Sequence, residues 1–343
     1  MQAIMKAKPG VGAELVDVPK PVPGPNDVLV RVSKTGICGT DRHIYEWDPW
    51  AQGRIKPPVV IGHEFVGIVE EVGKAVTSVK VGERVSGEGH IGCGHCYCCR
   101  TGMAHICQTT RIIGVDIAGC FAKYVKVPES NIWKVDPAIV DDQACLFDPF
   151  GNAMYTTLEQ PVSGRQVLVL GCGTIGLMAI GILRVCGADR IIAVNRGSFK
   201  RELAKKMGAD VVFADVDVDA IKKETDHGVD LLLEMSGNPK AIVDALRCMR
   251  NGGEAALLGI PGTDVTVPWA QTIIFKALTL RGINGRRMFQ TWYQCESLLR
   301  RQPKLIEPVI THRLPFDQFE EGVKAMQERN ACKVVLDWTN AEG

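Results

Sequence analysis

Apolar positions fall into two regimes along the chain, and the pattern changes near residue 150. Before that point the apolar runs are short. Val28-Leu29-Val30-Arg31-Val32 and Phe65-Val66-Gly67-Ile68-Val69 are bounded by Gly and Pro, and Val81-Gly82-Glu83-Arg84-Val85 reads as a turn entering a strand. Runs of this kind predict a β-rich unit. Pro19 to Pro25 is a proline-rich turn region. From Gly151 onward, six candidate strands follow: Val167–Leu170, Ile191–Val194, Val211–Phe213, Leu231–Glu234, Ala255–Leu258 and Leu278–Arg281. Helical periodicity separates most of them, as in Leu177–Val185 and Lys240–Met249. Six strands with crossovers of this length predict a doubly wound parallel α/β sheet. The tail, with Val309-Ile310, a helix near Phe316–Gln327 and a strand at Lys333–Leu336, is expected to return to the first unit. The expected division is therefore 1–150 with 299–343 in the β-rich unit, and 151–298 in the α/β unit.

The first strand of the α/β unit runs straight into Gly171-Cys172-Gly173-Thr174-Ile175-Gly176. Strand, G-x-G-x-x-G and helix in that order are the opening of a Rossmann dinucleotide site. The first glycine permits the turn, the second lets a pyrophosphate approach the backbone, and the third lets helix pack on strand. An acidic residue that would bond the adenosine ribose is expected at the end of the second strand. Here that strand ends in Asn195-Arg196, with Lys200 and Arg201 close behind. Asn195 can bond ribose without repelling a 2′-phosphate, and Arg196 could pair with one. NAD is the expected cofactor, and measurable use of NADP is expected beside it.

Size and composition narrow the classes. A chain of 343 residues can bury two cores. A formal net charge of +1 offers no basic footprint for nucleic acid or an anionic membrane, and no apolar run reaches spanning length. A cytoplasmic protein acting on a small molecule is the expectation. The 13 cysteines are odd in number, and five crowd into Cys93–Cys107, which suits metal ligation better than a disulfide framework.

Two constellations carry metal chemistry. Cys93-x2-Cys96-x2-Cys99-x7-Cys107 can wrap one tetrahedral zinc with no position left open, and Cys98 falls off that spacing. A thiol-rich loop without metal, or an iron–sulfur ligand set, are the other readings of the same run. The second constellation is dispersed: Cys38 in Gly36-Ile37-Cys38-Gly39-Thr40-Asp41, then His63-Glu64. A thiolate, an imidazole and a carboxylate are the ligand style of catalytic zinc, although a single histidine is more often a packing residue.

Taken together these features resemble the zinc-dependent medium-chain dehydrogenases. Gly62-His63-Glu64, the four-cysteine lobe and Gly171–Gly176 are family-wide. More diagnostic are Thr35–Asp41, His43-Ile44-Tyr45-Glu46-Trp47-Asp48, Ser86–Ile91, Phe147–Ala153, Leu258-Gly259-Ile260-Pro261 and Ile310-Thr311-His312-Arg313. They point to the branch of the family that oxidises the 3-hydroxyl of L-threonine. That branch carries Asp where this chain has Asn195.

The resemblance covers essentially the whole chain. It implies two zinc ions per subunit, a Rossmann cofactor domain inserted into a GroES-like catalytic domain, and a homotetramer. It also implies Cys38 and His63 as ligands of the catalytic zinc, with Glu64 a near or alternating ligand. Asp148 would be an acidic third ligand or act from behind the ligands, and Thr40 and His43 would form a proton relay. Cofactor contacts would come from Gly171, Gly173, Ile175, Gly176, Asn195, Arg196, Lys200, Leu258, Gly259, Ile260, Ile283 and Asn284. Glu88, His90, Trp47, Trp50 and Arg287 are candidates for holding the amino acid. The same chemistry on a polyol or diol, and a dinucleotide-binding protein without catalysis, are the alternative readings.

Overall fold

A computed structural model describes all residues, 1–343, and divides them into two compact units. The first comprises Met1–Asp148, Glu296–Arg301 and Ile310–Gly343, and the second Pro149–Cys295 with Gln302–Val309.

The first unit is organised on one long strand, Asp27–Ile37. It pairs antiparallel with Glu64–Val72, Tyr124–Pro128 and Lys333–Asp337. The full seven-stranded sheet runs Ile132–Lys134, Arg84–Gly87, Glu64–Val72, Asp27–Ile37, Lys333–Asp337, Ile310–Pro315, with Tyr124–Pro128 attached to the central strand. Two register shifts, at Leu29/Val30 and Val32/Lys34, interrupt the alternation that a flat strand would show. Val28, Val30, Val32, Phe65, Phe121, Phe319 and Trp338 fill the core, each contributing about 1.5–3 kcal/mol by leaving water. The C-terminal strand Lys333–Asp337 lies between the central strand and Ile310–Pro315.

The second unit holds six parallel strands in the order Val211–Phe213, Arg190–Val194, Gln166–Leu170, Val229–Glu234, Met249–Leu257, Thr279–Gly282. Strand order reverses between Gln166–Leu170 and Val229–Glu234, which is the switch point where such sheets bind ligands. Its central strands are apolar throughout rather than alternating because both of their faces are buried. All six predicted strands are present. The fifth is longer than its apolar core, since Met249 pairs with Val229 before a bulge that ends at Glu254↔Leu231. Gly252, at φ +72°, makes that bulge and reads in sequence as a strand boundary. The helix Thr174–Val185 begins directly after the glycine turn. No helix is long and apolar enough to cross a membrane.

Candidate active site and metal centres

The four-cysteine lobe closes on itself. The Sγ atoms of Cys93, Cys96, Cys99 and Cys107 all lie within 4.8 Å of one another, and no cysteine of the chain is in a disulfide. Backbone N–H groups aim at the sulfurs: Cys93 N donates to Cys107 Sγ at 3.3 Å, Cys96 N to Cys93 Sγ at 3.3 Å and Thr109 N to Cys107 Sγ at 3.4 Å. The Cys93 and Thr109 donors hold the Cys107 thiol down to about 5 against the effect of burial. Four converging sulfurs with amide support are the donor set of a closed zinc site, so the residues fit that ion. Cys98, on the short helix Tyr97–Arg100, stays outside the group.

The second group forms where the central strand ends. Cys38 follows Ile37 and caps the helix Gly39–Glu46, and its own N–H donates to Asp41 Oδ2 at 2.8 Å. Glu64 starts the neighbouring strand, paired with Gly36, and His63 immediately precedes it. One donor atom each from Cys38, His63 and Glu64 lies within 4.8 Å of the other two. Burial alone would disfavour a protonated His63. Cys38, Asp41 and Asp148 around it nevertheless hold its pKa well above the ordinary histidine value. The buried His63 Nδ1 has no hydrogen-bond partner. An anionic pocket with an orphaned imidazole nitrogen beside a thiol fits a soft divalent cation.

Glu64 has a partner that its sequence position does not advertise. Lys333 Nζ donates to Glu64 Oε1 at 2.9 Å, to Glu64 Oε2 at 2.8 Å and to Ile37 O at 2.9 Å, with both side chains sealed from solvent. Burial would lower the lysine pKa, but Glu64 and Cys38 beside it raise it, so the ammonium stays charged. Gly36 makes room for this pair. A Cβ there would fall 2.1 Å from Glu64 Oε2 and 2.7 Å from a Leu146 methyl. The only signal in the sequence was one lysine heading the buried run Val334-Val335-Leu336.

Asp148 is grouped differently from Cys38, His63 and Glu64. It is buried in the first turn of the helix Phe147–Leu158, and its carboxylate lies within 4.8 Å of ligand atoms of Glu88 and His90. Glu88 Oε1 accepts the backbone N–H of His90 at 2.9 Å and sits 3.1 Å from its Nδ1. Asn131 Nδ2 fixes this turn by donating to the carbonyls of Glu88 and His90, each at 2.8 Å. Thr40 Oγ1 lies 3.8 Å from Cys38 Sγ, and His43 sits one turn further along the same helix with Nδ1 2.6 Å from Asp48 Oδ2.

In the second unit, the residues expected to contact a dinucleotide follow the C-terminal ends of the parallel strands, except Lys200, which lies on the helix Ser198–Met207. Gly171, at φ +96°, turns against the Ser236 backbone, where a Cβ would fall 2.9 Å from Ser236 N. A Cβ on Gly176 would meet Gly171 O at 2.0 Å, whereas the space around Gly173, which caps the helix, is open. These are the three demands that a pyrophosphate turn makes. Thr174 and Ile175 begin the helix, and Leu258, Gly259 and the 91 % exposed Ile260 follow the fifth strand. Ile283 and Asn284 follow the sixth. Asn195 Oδ1 accepts the Cys172 N–H at 3.2 Å, tying the second strand to the glycine turn. Arg196 pairs with Asp215 at 3.3 Å in a solvent-exposed contact, while Arg201 donates to the Asn195 and Arg196 carbonyls.

Comparison with known proteins agrees with this geometry. Residues 24–137 match the family model "Alcohol dehydrogenase GroES-like domain", and residues 174–301 match "Zinc-binding dehydrogenase". The L-threonine 3-dehydrogenase of Pyrococcus horikoshii is 47% identical over 98% of both chains, and that of Bacillus subtilis 46% identical over the same shares. The chain belongs to the zinc-dependent medium-chain dehydrogenases. Among solved structures, the alcohol dehydrogenase TADH from Thermus sp. ATN1 superposes with a TM-score of 0.90 at 30% identity, covering 98% of this chain and 99% of that one. In this dehydrogenase the two halves of the family's machinery, thiol-rich metal donors and a glycine-turn nucleotide site, are thus both present.

Proposed function

We propose that this dehydrogenase oxidises the 3-hydroxyl of L-threonine to L-2-amino-3-oxobutanoate and passes the hydride to NAD or NADP. The observation that carries the reading is the Cys38–His63–Glu64 donor set, in a chain 47% identical end to end to an L-threonine 3-dehydrogenase. We assign Cys38 and His63 as ligands of a catalytic zinc, Glu64 as a carboxylate held within reach of it, and Cys93, Cys96, Cys99 and Cys107 as ligands of a second, structural zinc. A zinc ion bound at the first set would supply Lewis acidity, of the kind that lowers the pKa of bound water towards neutrality.

The remaining work belongs to the chain. The Thr40 hydroxyl, beside Cys38, accepts the substrate proton and hands its own on, and His43 delivers a proton to solvent from a half-exposed position. The buried Asp148 and Glu88, with the partly exposed His90, form a polar wall suited to an ammonium group. The backbone at Gly173 and the Thr174 helix N-terminus receive the pyrophosphate, and Asn195 reaches the adenosine ribose without excluding a 2′-phosphate. We further propose a homotetramer. The edge strand Thr279–Gly282 is paired on one side only within the chain, with exposed Trp269, Ile274 and Phe275 preceding it.

The test is kcat/KM for L-threonine against a panel of secondary alcohols, polyols, vicinal diols and amino alcohols, each with NAD and with NADP. L-threonine should lead the panel, NADP should support measurable turnover, and Asn195→Asp should shift the ratio toward NAD. A polyol or diol turned over better than L-threonine would overturn the substrate assignment. Rejection of NADP by the wild type, with a ratio unmoved by the substitution, would overturn the cofactor argument.

A further inference from the structure

The helix that carries His43 ends in a way that folds the chain back on that histidine. Trp47 sits at φ 57°, ψ 44°, a left-handed conformation uncommon for a bulky residue, and its N–H bonds to His43 O. Asp48 N also approaches His43 O, at 3.4 Å. Trp47 is held in place by Lys6, a buried residue whose Nζ lies 4.9 Å from the indole centroid and donates to Gly12 O at 2.8 Å. Pro49 then opens the next helix, Pro49–Arg54. The turn leaves the two oxygens of Asp48 with separate tasks. Oδ1 accepts the Ala51 N–H at 2.9 Å as the cap of that helix, and Oδ2 faces His43 Nδ1 at 2.6 Å. The Trp50 ring packs edge-on to the imidazole at 6.2 Å. Burial pushes the Asp48 carboxyl up, but the Ala51 N–H and His43 outweigh it and hold it below the ordinary carboxylate range. An ionised carboxylate has no proton to give, so the proton in this contact belongs to Nδ1.

We propose that Asp48 is a positioning residue that fixes His43 as the Nδ1–H tautomer, leaving Nε2 as the nitrogen that moves the proton. The inference rests on the reading of His43 as the relay. The proton released by the alcohol arrives at the Nε2 lone pair, giving an imidazolium whose charge faces Asp48. Nε2 then loses a proton to water, and His43 returns to its starting tautomer with Nδ1–H never broken. Because Oδ1 is committed to the helix cap, the ring cannot turn without also giving up its partner.

Asp48→Asn separates this role from a structural one. Asparagine is as good a helix cap as aspartate, so its oxygen stays on Ala51 and its NH2 is presented to Nδ1. The ring must then accept at Nδ1 and carry its proton on Nε2. The same inversion of tautomer is what disables serine proteases whose orienting Asp is replaced by Asn. Asp48→Ser keeps a cap but is too short to reach the ring. In 15N-histidine NMR of the holoenzyme, with the His43 signals assigned by their loss in His43→Ala, the wild type should show Nδ1 protonated and Asp48→Asn should show Nε2 protonated. Turnover of L-threonine should fall about ten- to a hundredfold in Asp48→Asn and less in Asp48→Ser, with KM and thermal stability little changed. A wild type with the proton on Nε2 would overturn the proposal. So would an inverted tautomer with unchanged kcat; if His43→Ala were also fully active, the relay reading itself would have failed, whereas an impaired His43→Ala would confine the failure to Asp48.

Discussion

Lys333→Met tests the buried ion pair that organises the centre of the first unit. Methionine is close to lysine in length, so the substitution opens little space and removes chiefly the charge and its three hydrogen bonds to Glu64 and Ile37. Glu64, 1 % exposed, loses the cation hydrogen-bonded to it and keeps only His63 as a positive neighbour, in a pocket that already holds Asp148. Stranding one member of a buried pair costs about 3–5 kcal/mol, far above the roughly 0–1 kcal/mol of a surface pair. For a unit of this size that is a fall in thermal midpoint of about 6–20 °C. The assay is thermal and urea unfolding of metal-free protein, so that no bound cation can neutralise Glu64. The double variant Lys333→Met with Glu64→Leu should recover most of the loss, because an apolar pair can replace a buried ionic one at little cost. A single variant within about 1 kcal/mol of wild type, or a double variant no better than the single, would refute the reasoning.

Two further outcomes follow from other parts of the chain. Asp142 lies between Lys34 Nζ, at 2.9 Å, and Arg313, and these cations hold it below the ordinary aspartate range against the effect of burial. A depressed folded pKa stabilises the protein above the unfolded value of about 3.9 and ceases to do so as pH falls through the folded value. Asp142→Asn should therefore lose about 1–2 kcal/mol at neutral pH, with the gap starting to close only below about pH 4 and closing fully below the depressed folded value, as urea unfolding across pH would show. A gap that persists at low pH would count against this. Cys96→Ser, in the four-sulfur lobe, should lower zinc content and thermal stability together, because a closed site is part of the fold. Normal stability with loss of turnover alone would contradict that role.

What could be read from the sequence was whatever repeats with a local period or sits in a short motif. The apolar runs Val167–Leu170 and Ile191–Val194 are buried on both faces, so they announced a parallel sheet. The spacing of Cys93, Cys96, Cys99 and Cys107 brought their sulfurs together because a single loop carries all four. Cys38 and His63 lie 25 residues apart and meet because adjacent strands deliver them, so their grouping rested on ligand type and then on resemblance rather than on spacing. Lys333, 269 residues from Glu64, gave no such clue, since its place depends on a C-terminal strand docking beside Asp27–Ile37. Asp48 stood within a motif quoted from the sequence, yet its role depends on the left-handed Trp47 that turns it back onto His43. The bulge at Gly252 was missed because a glycine pair inside a strand looks like its end.

The central claim is that Cys38 belongs to a metal site used in chemistry, separate from the metal of the four-cysteine lobe. The direct measurement is zinc per subunit together with L-threonine turnover in Cys38→Ser. The account predicts a folded protein that still binds the dinucleotide, zinc falling from two per subunit towards one, and turnover lower by about a thousandfold or more, as expected when several kcal/mol of Lewis-acid stabilisation is lost. Unchanged zinc content with near-normal turnover would contradict it.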